Sequence, residues 1–253
     1  MSRGAARGPL SDAERYSFDL QGFFVRRGAL SGGEIRELRS AVADLGVPRA
    51  SDTLQSQRFN GHLGRAGAFR ALIDHPAILD VVLEMCGPAA RLDHAYGITM
   101  APRSGGLGLH GGGTPHDPAQ YYRVEGGRMY NGLIGVQWAL VDHRVGDGGF
   151  GCVPGSHKAN FPLPADHDPR LVVEVPMAAG DLVVFTEALT HCTIPWRGKG
   201  DRLTLLYKYS PGHLAWGPDY EDLQSLAPLL TERQKRFLQK PAVYRHRPVI
   251  DSG

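Results

Sequence analysis

The chain has 253 residues, 42% hydrophobic and 21% charged, an ordinary globular composition with enough length to build a core without disulfide staples. Its 28 Lys+Arg against 26 Asp+Glu leave a formal charge of only +2, so bulk electrostatics give no case for a nucleic-acid partner. The cysteines Cys86, Cys152 and Cys192 are far apart and form no C-x-x-C pair, which argues against a zinc knuckle or disulfide framework and for a reducing, cytoplasmic setting.

Residues 1–13 read as a flexible arm. Met1 to Arg15 carry no apolar h-region, and no apolar run approaches the ~18 residues of a membrane span, so neither secretion nor a membrane is expected. Ser31-Gly-Gly-Glu34 reads as a capping box. Ile35, Leu38, Val42 and Leu45 then recur at helical spacing until Gly46. A second helix is predicted after Asp74, with Pro76 in its first turn, Ile78, Val81, Val82 and Met85 on its buried side, and Gly87 ending it. From Arg91 the period changes to two: Leu92, His94, Tyr96, Ile98 and Met100 alternate with other residues, as in a half-buried strand.

Leu133 to Asp142 predicts a longer strand, with Ile134, Val136, Trp138 and Leu140 on one face. Shorter strands are predicted at Leu171–Val175, Leu182–Thr186 and Leu203–Tyr209, separated by clusters such as Gly146-Asp-Gly-Gly149. The basic stretch Arg233 to Arg247 reads as a solvated C-terminal helix and tail. Short strands between Gly- and Pro-rich turns, with helices confined to the ends, predict one domain over residues 1–253, mainly β with flanking α-helices.

Two stretches carry the candidate chemistry: Leu109-His-Gly-Gly-Gly-Thr-Pro-His-Asp117, and Leu189-Thr-His-Cys-Thr-Ile-Pro-Trp196 followed by Arg202. Ferrous iron that must bind O₂ needs open positions. Two imidazoles and one carboxylate on one face of an octahedron leave three for a chelating cosubstrate and O₂. His110, Asp117 and His191 can supply that set. A buried 2-oxoglutarate also needs a fixed cation for its distal carboxylate, and the planar fork of Arg202, on the strand after His191, suits that task. The bland alternative for each residue is a surface or hydrogen-bonding role.

The order and wording of several segments resemble the phytanoyl-CoA dioxygenase family of Fe(II)/2-oxoglutarate oxygenases. Phe18-Asp-Leu-Gln-Gly-Phe-Phe-Val-Arg-Arg-Gly-Ala-Leu30 is similar to its N-terminal entry, Gly148-Gly-Phe-Gly-Cys-Val-Pro-Gly-Ser-His-Lys158 to its Pro-Gly-Ser-His-Lys signature, and Ala179-Gly-Asp-Leu-Val-Val-Phe185 to the turn before the distal histidine. The resemblance implies a double-stranded β-helix, a cupin-like jelly roll closed around the metal. It implies Fe(II), 2-oxoglutarate and O₂ as cofactors and a small-molecule substrate. It gives His191 as a metal ligand, Thr193 and Arg202 as cosubstrate contacts, and Trp138 as an aromatic lining the cosubstrate pocket. The expected reaction couples oxidation of a C–H bond to release of succinate and CO₂.

One departure matters. The family writes its first ligands as His-x-Asp, two residues apart on one strand, whereas His110 is followed by Gly111 and Gly112. Three readings follow. Asp117 folds back as the carboxylate ligand, the reading favoured here; or His116 ligates; or the small residue leaves room for chloride, as in related halogenases. A metal-binding cupin-type protein without oxygenase activity is the rival of another class. Gln137 and Asn131 are further candidates for cosubstrate or substrate contact, and Tyr121, Tyr122 and Tyr130 for the mouth of the site. His157 is expected to brace a loop and Lys158 to face solvent. His143 and the remaining histidines are left without a chemical role.

Overall fold

The structure is a computed structural model that describes residues 8–47, 56–112, 117–217, 223–243 and 247–250. Ser11 opens the first helix, α1 (Asp12–Gln21), through a capping box in which its side chain accepts from the Glu14 N–H and Glu14 reaches back. The expected arm is therefore structured from at least residue 8; residues 1–7 lie outside the described part. Strand β1 (Phe23–Arg26) follows, then α2 (Gly32–Asp44), which begins with the predicted Ser31–Glu34 capping box. After β2 (Ser56–Phe59) and the short α3 (Gly67–Ala71) comes α4 (Leu79–Cys86). Val81, Val82 and Met85 are buried as predicted and Gly87 terminates it, but Pro76 sits in a turn before the helix.

The β-rich part comprises β3 (Arg91–Met100), β4 (Leu107–His110), β5 (Tyr122–Glu125), β6 (Arg128–Asn131), β7 (Ile134–Ala139), β8 (Gly149–Cys152), β9 (Val173–Glu174), β10 (Leu182–Thr186), β11 (His191–Ile194) and β12 (Arg202–Ser210). Two short helices, α5 (Leu223–Leu226) and α6 (Glu232–Phe237), close the chain. The predicted strand at Leu171–Val175 is shorter than expected: Leu171 ends a 3₁₀ turn, Pro169–Leu171, and only β9, Val173–Glu174, pairs.

A six-stranded sheet in the order β1-β10-β7-β12-β3-β2 packs on a four-stranded sheet in the order β4-β11-β8-β9, with β5-β6 as a separate hairpin. All these pairings are antiparallel. The chain forms the jelly roll expected for a double-stranded β-helix. Between the sheets lie Phe23, Ala139, Phe150, Cys152, Val183, Phe185 and Leu189.

The outer face of the larger sheet is covered by helices. Ile134, Val136, Trp138, Leu182, Val184, Leu205, Tyr207 and Tyr209 pack there against Phe18, Leu38, Phe69, Ile73, Val81 and Val82. Each fully buried side chain of this size contributes about 1.5–3 kcal/mol of transfer free energy. Hydroxyls pin the layers together: Tyr207 donates to the Phe69 carbonyl at 2.7 Å and Tyr209 to the Ile73 carbonyl at 2.9 Å. Strand alternation then fixes the opposite face of β12, so Arg202, Thr204, Leu206 and Lys208 look toward the smaller sheet. Along β3 the half-buried residues His94, Tyr96 and Ile98 register with Lys208, Leu206 and Thr204 on that inner side, while Leu92 and Met100 are buried.

Candidate metal and cosubstrate site

Strand pairing brings two histidines together. His110 ends β4, His191 begins β11, and the two are direct partners in the ladder, with ring centroids 4.3 Å apart. The register shifts between His191 and Thr193, an irregularity of the kind that re-aims a side chain next to a site. The His191 Nδ1–H donates to the Leu189 carbonyl at 2.7 Å, and the His110 Nδ1–H to the Gly108 carbonyl at 2.8 Å. A carbonyl only accepts, so the proton is on Nδ1 in both rings and each Nε2 lone pair is left for a metal. Burial lowers the His191 pKa to about 4, which keeps its imidazole neutral at physiological pH.

Gly111 and Gly112, with φ of +76° and +94°, turn the chain sharply after His110. A Cβ on Gly111 would stand 2.8 Å from the Leu189 carbonyl and 2.9 Å from that of Glu187, so the close approach excludes any side chain. The Gly112 N–H completes the contact by donating to the Glu187 carbonyl at 3.1 Å.

Glu187 is the carboxylate beside the histidines. One of its oxygens, Oε1, accepts from the Lys208 ammonium, and Oε2 lies 3.9 Å from the His191 Nε2. Burial alone would raise the Glu187 pKa, but Lys208, His191 and His110 together hold it below the ordinary value. The Lys208 pKa is likewise raised by Glu187 against the effect of burial. Among the described residues no three His, Cys, Asp or Glu side chains already form a complete metal-binding group.

Farther along the inner face, Arg202 is 1% exposed and forms no ion pair among the described residues. Its Nη1 reaches only the Met100 sulfur at 3.3 Å, and its Nε has no partner. Burial lowers its pKa to about 10, so the guanidinium stays charged at neutral pH. Other buried polar atoms without partners include both ring nitrogens of His143 and, on the inner face of the larger sheet, the Thr204 hydroxyl and the Gln137 amide nitrogen. A buried, uncompensated cation among orphaned donors is costly unless an anion occupies the space. These residues fit a dicarboxylate.

Beside His110 opens a cleft of 590 Å³, lined by Leu109 to Gly112, Val153 to Ser156, Thr190, His167 and the apolar run Phe161 to Ala165. The Ser156 hydroxyl accepts from the Thr190 N–H at 2.8 Å, so the Pro-Gly-Ser-His-Lys turn buttresses the strand that carries His191. Residues 18–204 match the phytanoyl-CoA dioxygenase (PhyH) family. The chain belongs to this family.

The phytanoyl-CoA dioxygenase fold extends to solved structures. HygX from Streptomyces hygroscopicus with nickel and 2-oxoglutarate bound is 27% identical, with 85% of this chain and 94% of that chain covered and a TM-score of 0.73. The iron-bound form of HygX is 26% identical, with 86% and 94% covered and a TM-score of 0.73. SnoN, a non-haem α-ketoglutarate-dependent epimerase from nogalamycin biosynthesis, is 20% identical, with 84% and 87% covered and a TM-score of 0.63, and shares the fold. No curated protein sequence matches the chain.

Against the family's His-x-Asp pattern, the structure brings His110 and His191 together but not Asp117. The Asp117 carboxylate accepts from the Ala119 N–H at 2.7 Å and closes its own turn. His116 lies outside the described residues. Thr193, half-buried two residues beyond His191, shares its face and registers with Phe150 of the inter-sheet core. Gln137, opposite Leu206, is also on the inner face. Trp138 is a correction: it packs in the helix-covered core, edge-on to His75 at 5.2 Å, and does not line the cosubstrate space.

Tyr122 is a second correction. Its hydroxyl donates to the Asp19 carboxylate at 2.6 Å and its ring packs on His157, so it ties α1 to the signature turn. Lys158 joins that cluster through an ion pair with Asp19 at 2.9 Å, and His157 braces it by donating to the Asp19 carbonyl at 3.1 Å. Tyr121, Tyr130 and Asn131 line a different cleft of 290 Å³, beside Met85, Cys86 and Val243, and not the one at His110.

Sequence reasoning passed over Glu187, Lys208 and His143. The available signal was an acid directly after the apolar strand β10 and a lysine inside the largely apolar β12, where charges are rare unless paired.

Proposed function

We propose that this member of the phytanoyl-CoA dioxygenase family is a non-haem Fe(II)/2-oxoglutarate-dependent dioxygenase that hydroxylates a C–H bond of a small organic metabolite. The observation that carries the reading is Arg202: a charged guanidinium, buried and without a protein anion among the described residues, on the face of the larger sheet that looks toward the smaller sheet, which carries the paired His110 and His191. A jelly roll that merely stored a metal has no use for such a cation. The HygX structures with iron, nickel and 2-oxoglutarate support the same cofactors here.

His110 and His191 hold the metal through Nε2, each oriented by a backbone carbonyl behind it. Glu187 supplies the carboxylate that the His-x-Asp position lacks, its Oε1 anchored by Lys208 and its Oε2 toward His191. Asp117 would have to give up its turn to play that part. A buried carboxylate beside the two histidines favours the oxygenase reading over the halogenase one, which needs a coordination position left to chloride.

Arg202 pairs with the distal carboxylate of 2-oxoglutarate, with Thr193 and Gln137 on the faces beside it. Phe23, Phe150, Val183 and Phe185 line the inter-sheet space and exclude water. The bound iron and cosubstrate supply the oxidising chemistry; the protein supplies orientation and a dry pocket. The cleft beside His110, apolar along Phe161 to Ala165, receives the substrate.

The test is turnover of 2-oxoglutarate without added substrate. Fe(II)-loaded protein is expected to form succinate slowly and only with O₂, and Arg202→Met to lose most of it. Folded, Fe(II)-loaded protein that forms no succinate under O₂ would refute the reading.

A further inference from the structure

Arg202 has a buried companion. His143 follows β7, is 1% exposed, and is fixed by a two-way backbone bridge to Met177, with N···O distances of 2.7 and 2.9 Å. Its ring stands edge-on to Trp196 at 5.4 Å. Neither ring nitrogen has a hydrogen-bond partner, although an imidazole always carries one N–H donor and one further site. A buried donor left without a partner is costly, so two orphaned nitrogens on one ring call for a ligand.

Gly149 shows that the unpartnered nitrogens of His143 and Arg202 are neighbours. A Cβ built on Gly149 would lie 3.3 Å from the Arg202 Nε and 3.3 Å from the His143 Nδ1. The two unpartnered nitrogens therefore converge on the same glycine, which lets both approach this closely because it has no side chain. The backbone there has φ +104°, a conformation glycine adopts freely and other residues resist.

We propose that His143 is a second cosubstrate-binding residue, donating a hydrogen bond to the same distal carboxylate that Arg202 pairs with. The inference rests on the proposed function for the carboxylate itself; what it adds is the residue and the geometry. Arginine supplies charge and imidazole supplies direction, so a dicarboxylic 2-oxoacid is selected over a 2-oxoacid with an uncharged tail. Both ring nitrogens are buried, and Nδ1 lies against Gly149 beside the Arg202 Nε.

The experiment is anaerobic calorimetric titration of Ni(II)-loaded protein with 2-oxoglutarate and, separately, with 2-oxobutyrate, which lacks the distal carboxylate. His143→Phe keeps a ring against Trp196 and removes the donor. It is expected to weaken 2-oxoglutarate about tenfold, the size of one hydrogen bond to a charged group, while leaving 2-oxobutyrate and Ni(II) affinity as in wild type.

His143→Leu should show the same loss of selectivity, and provides the reading if the phenylalanine variant does not fold. A folded variant that retains the wild-type preference overturns the assignment, as does an equal loss for both ligands. Wild type that binds neither oxoacid would instead overturn the proposed function.

Discussion

Replacing Lys208 by Met tests the arrangement around Glu187 most severely. Both side chains of this pair are almost wholly buried, 5% and 10% exposed, and methionine fills most of the space of the lysine stem. The change leaves a carboxylate that burial penalises and whose main compensating charge is gone. Opposite charges about 4 Å apart interact by roughly 4 kcal/mol at an effective dielectric of 20, and breaking a buried pair typically costs 3–5 kcal/mol. For a domain of this length the unfolding entropy is about 0.5 kcal/mol/K, so Tm should fall by roughly 6–10 °C.

Two further readings isolate the cause. Adding Glu187→Gln to Lys208→Met removes the orphaned charge and should restore most of the loss. Ni(II) should raise the Tm of Lys208→Met more than that of wild type, because a metal held by His110 and His191 would neutralise the freed carboxylate. Differential scanning calorimetry with and without Ni(II) supplies all three numbers. A Tm within about 1 °C of wild type for Lys208→Met, or no extra response to Ni(II), would refute the placement of Glu187 at the centre.

Glu187→Gln is expected to weaken Ni(II) binding at least about tenfold, with Asp117→Ala close to wild type, as read by anaerobic titration; the reverse order would return the ligand role to Asp117. Arg202→Met should leave the metal-free protein as stable or more stable, because it removes a buried unpaired cation, while 2-oxoglutarate affinity falls at least about 30-fold. His62 is buried among Phe59, Phe69 and Tyr207, and burial lowers its pKa to about 4. The unfolded chain takes up that proton near pH 6.5, so its contribution is present above pH 6.5 and lost as pH falls toward 4. In His62→Phe the decline of Tm over that window should be shallower than in wild type, and an unchanged slope would exclude His62 as a source.

The elements legible in the sequence were those with local instructions. Ser31 and Glu34 cap α2 by contacts three residues apart, and Leu182 to Thr186 forms β10 as predicted. The same local signal in Ser11-Asp-Ala-Glu14 was overlooked when residues 1–13 were read as an arm. Alternation correctly put Ile134, Val136, Trp138 and Leu140 on one face, but not which face looks inward. Strand β7 is central and buried on both sides, so apolar residues carry no such information.

The resemblance assigns Trp138 to the cosubstrate pocket, and nothing in the pattern of its own strand could correct that. His110 and His191 stand out in the sequence as imidazoles in polar, turn-rich stretches and are strengthened by the resemblance, but their meeting depends on the β4–β11 ladder across 81 residues of chain. Glu187, Lys208 and His143 acquire their meaning only when strands and loops distant in sequence converge, which no spacing rule encodes.

The central claim is tested most directly by anaerobic visible absorption of the protein with Fe(II) and 2-oxoglutarate. A metal-to-ligand charge-transfer band is expected in wild type, absent in His191→Ala, and requiring more 2-oxoglutarate in Arg202→Met. Folded wild-type protein that shows no band at saturating Fe(II) and 2-oxoglutarate would contradict the account.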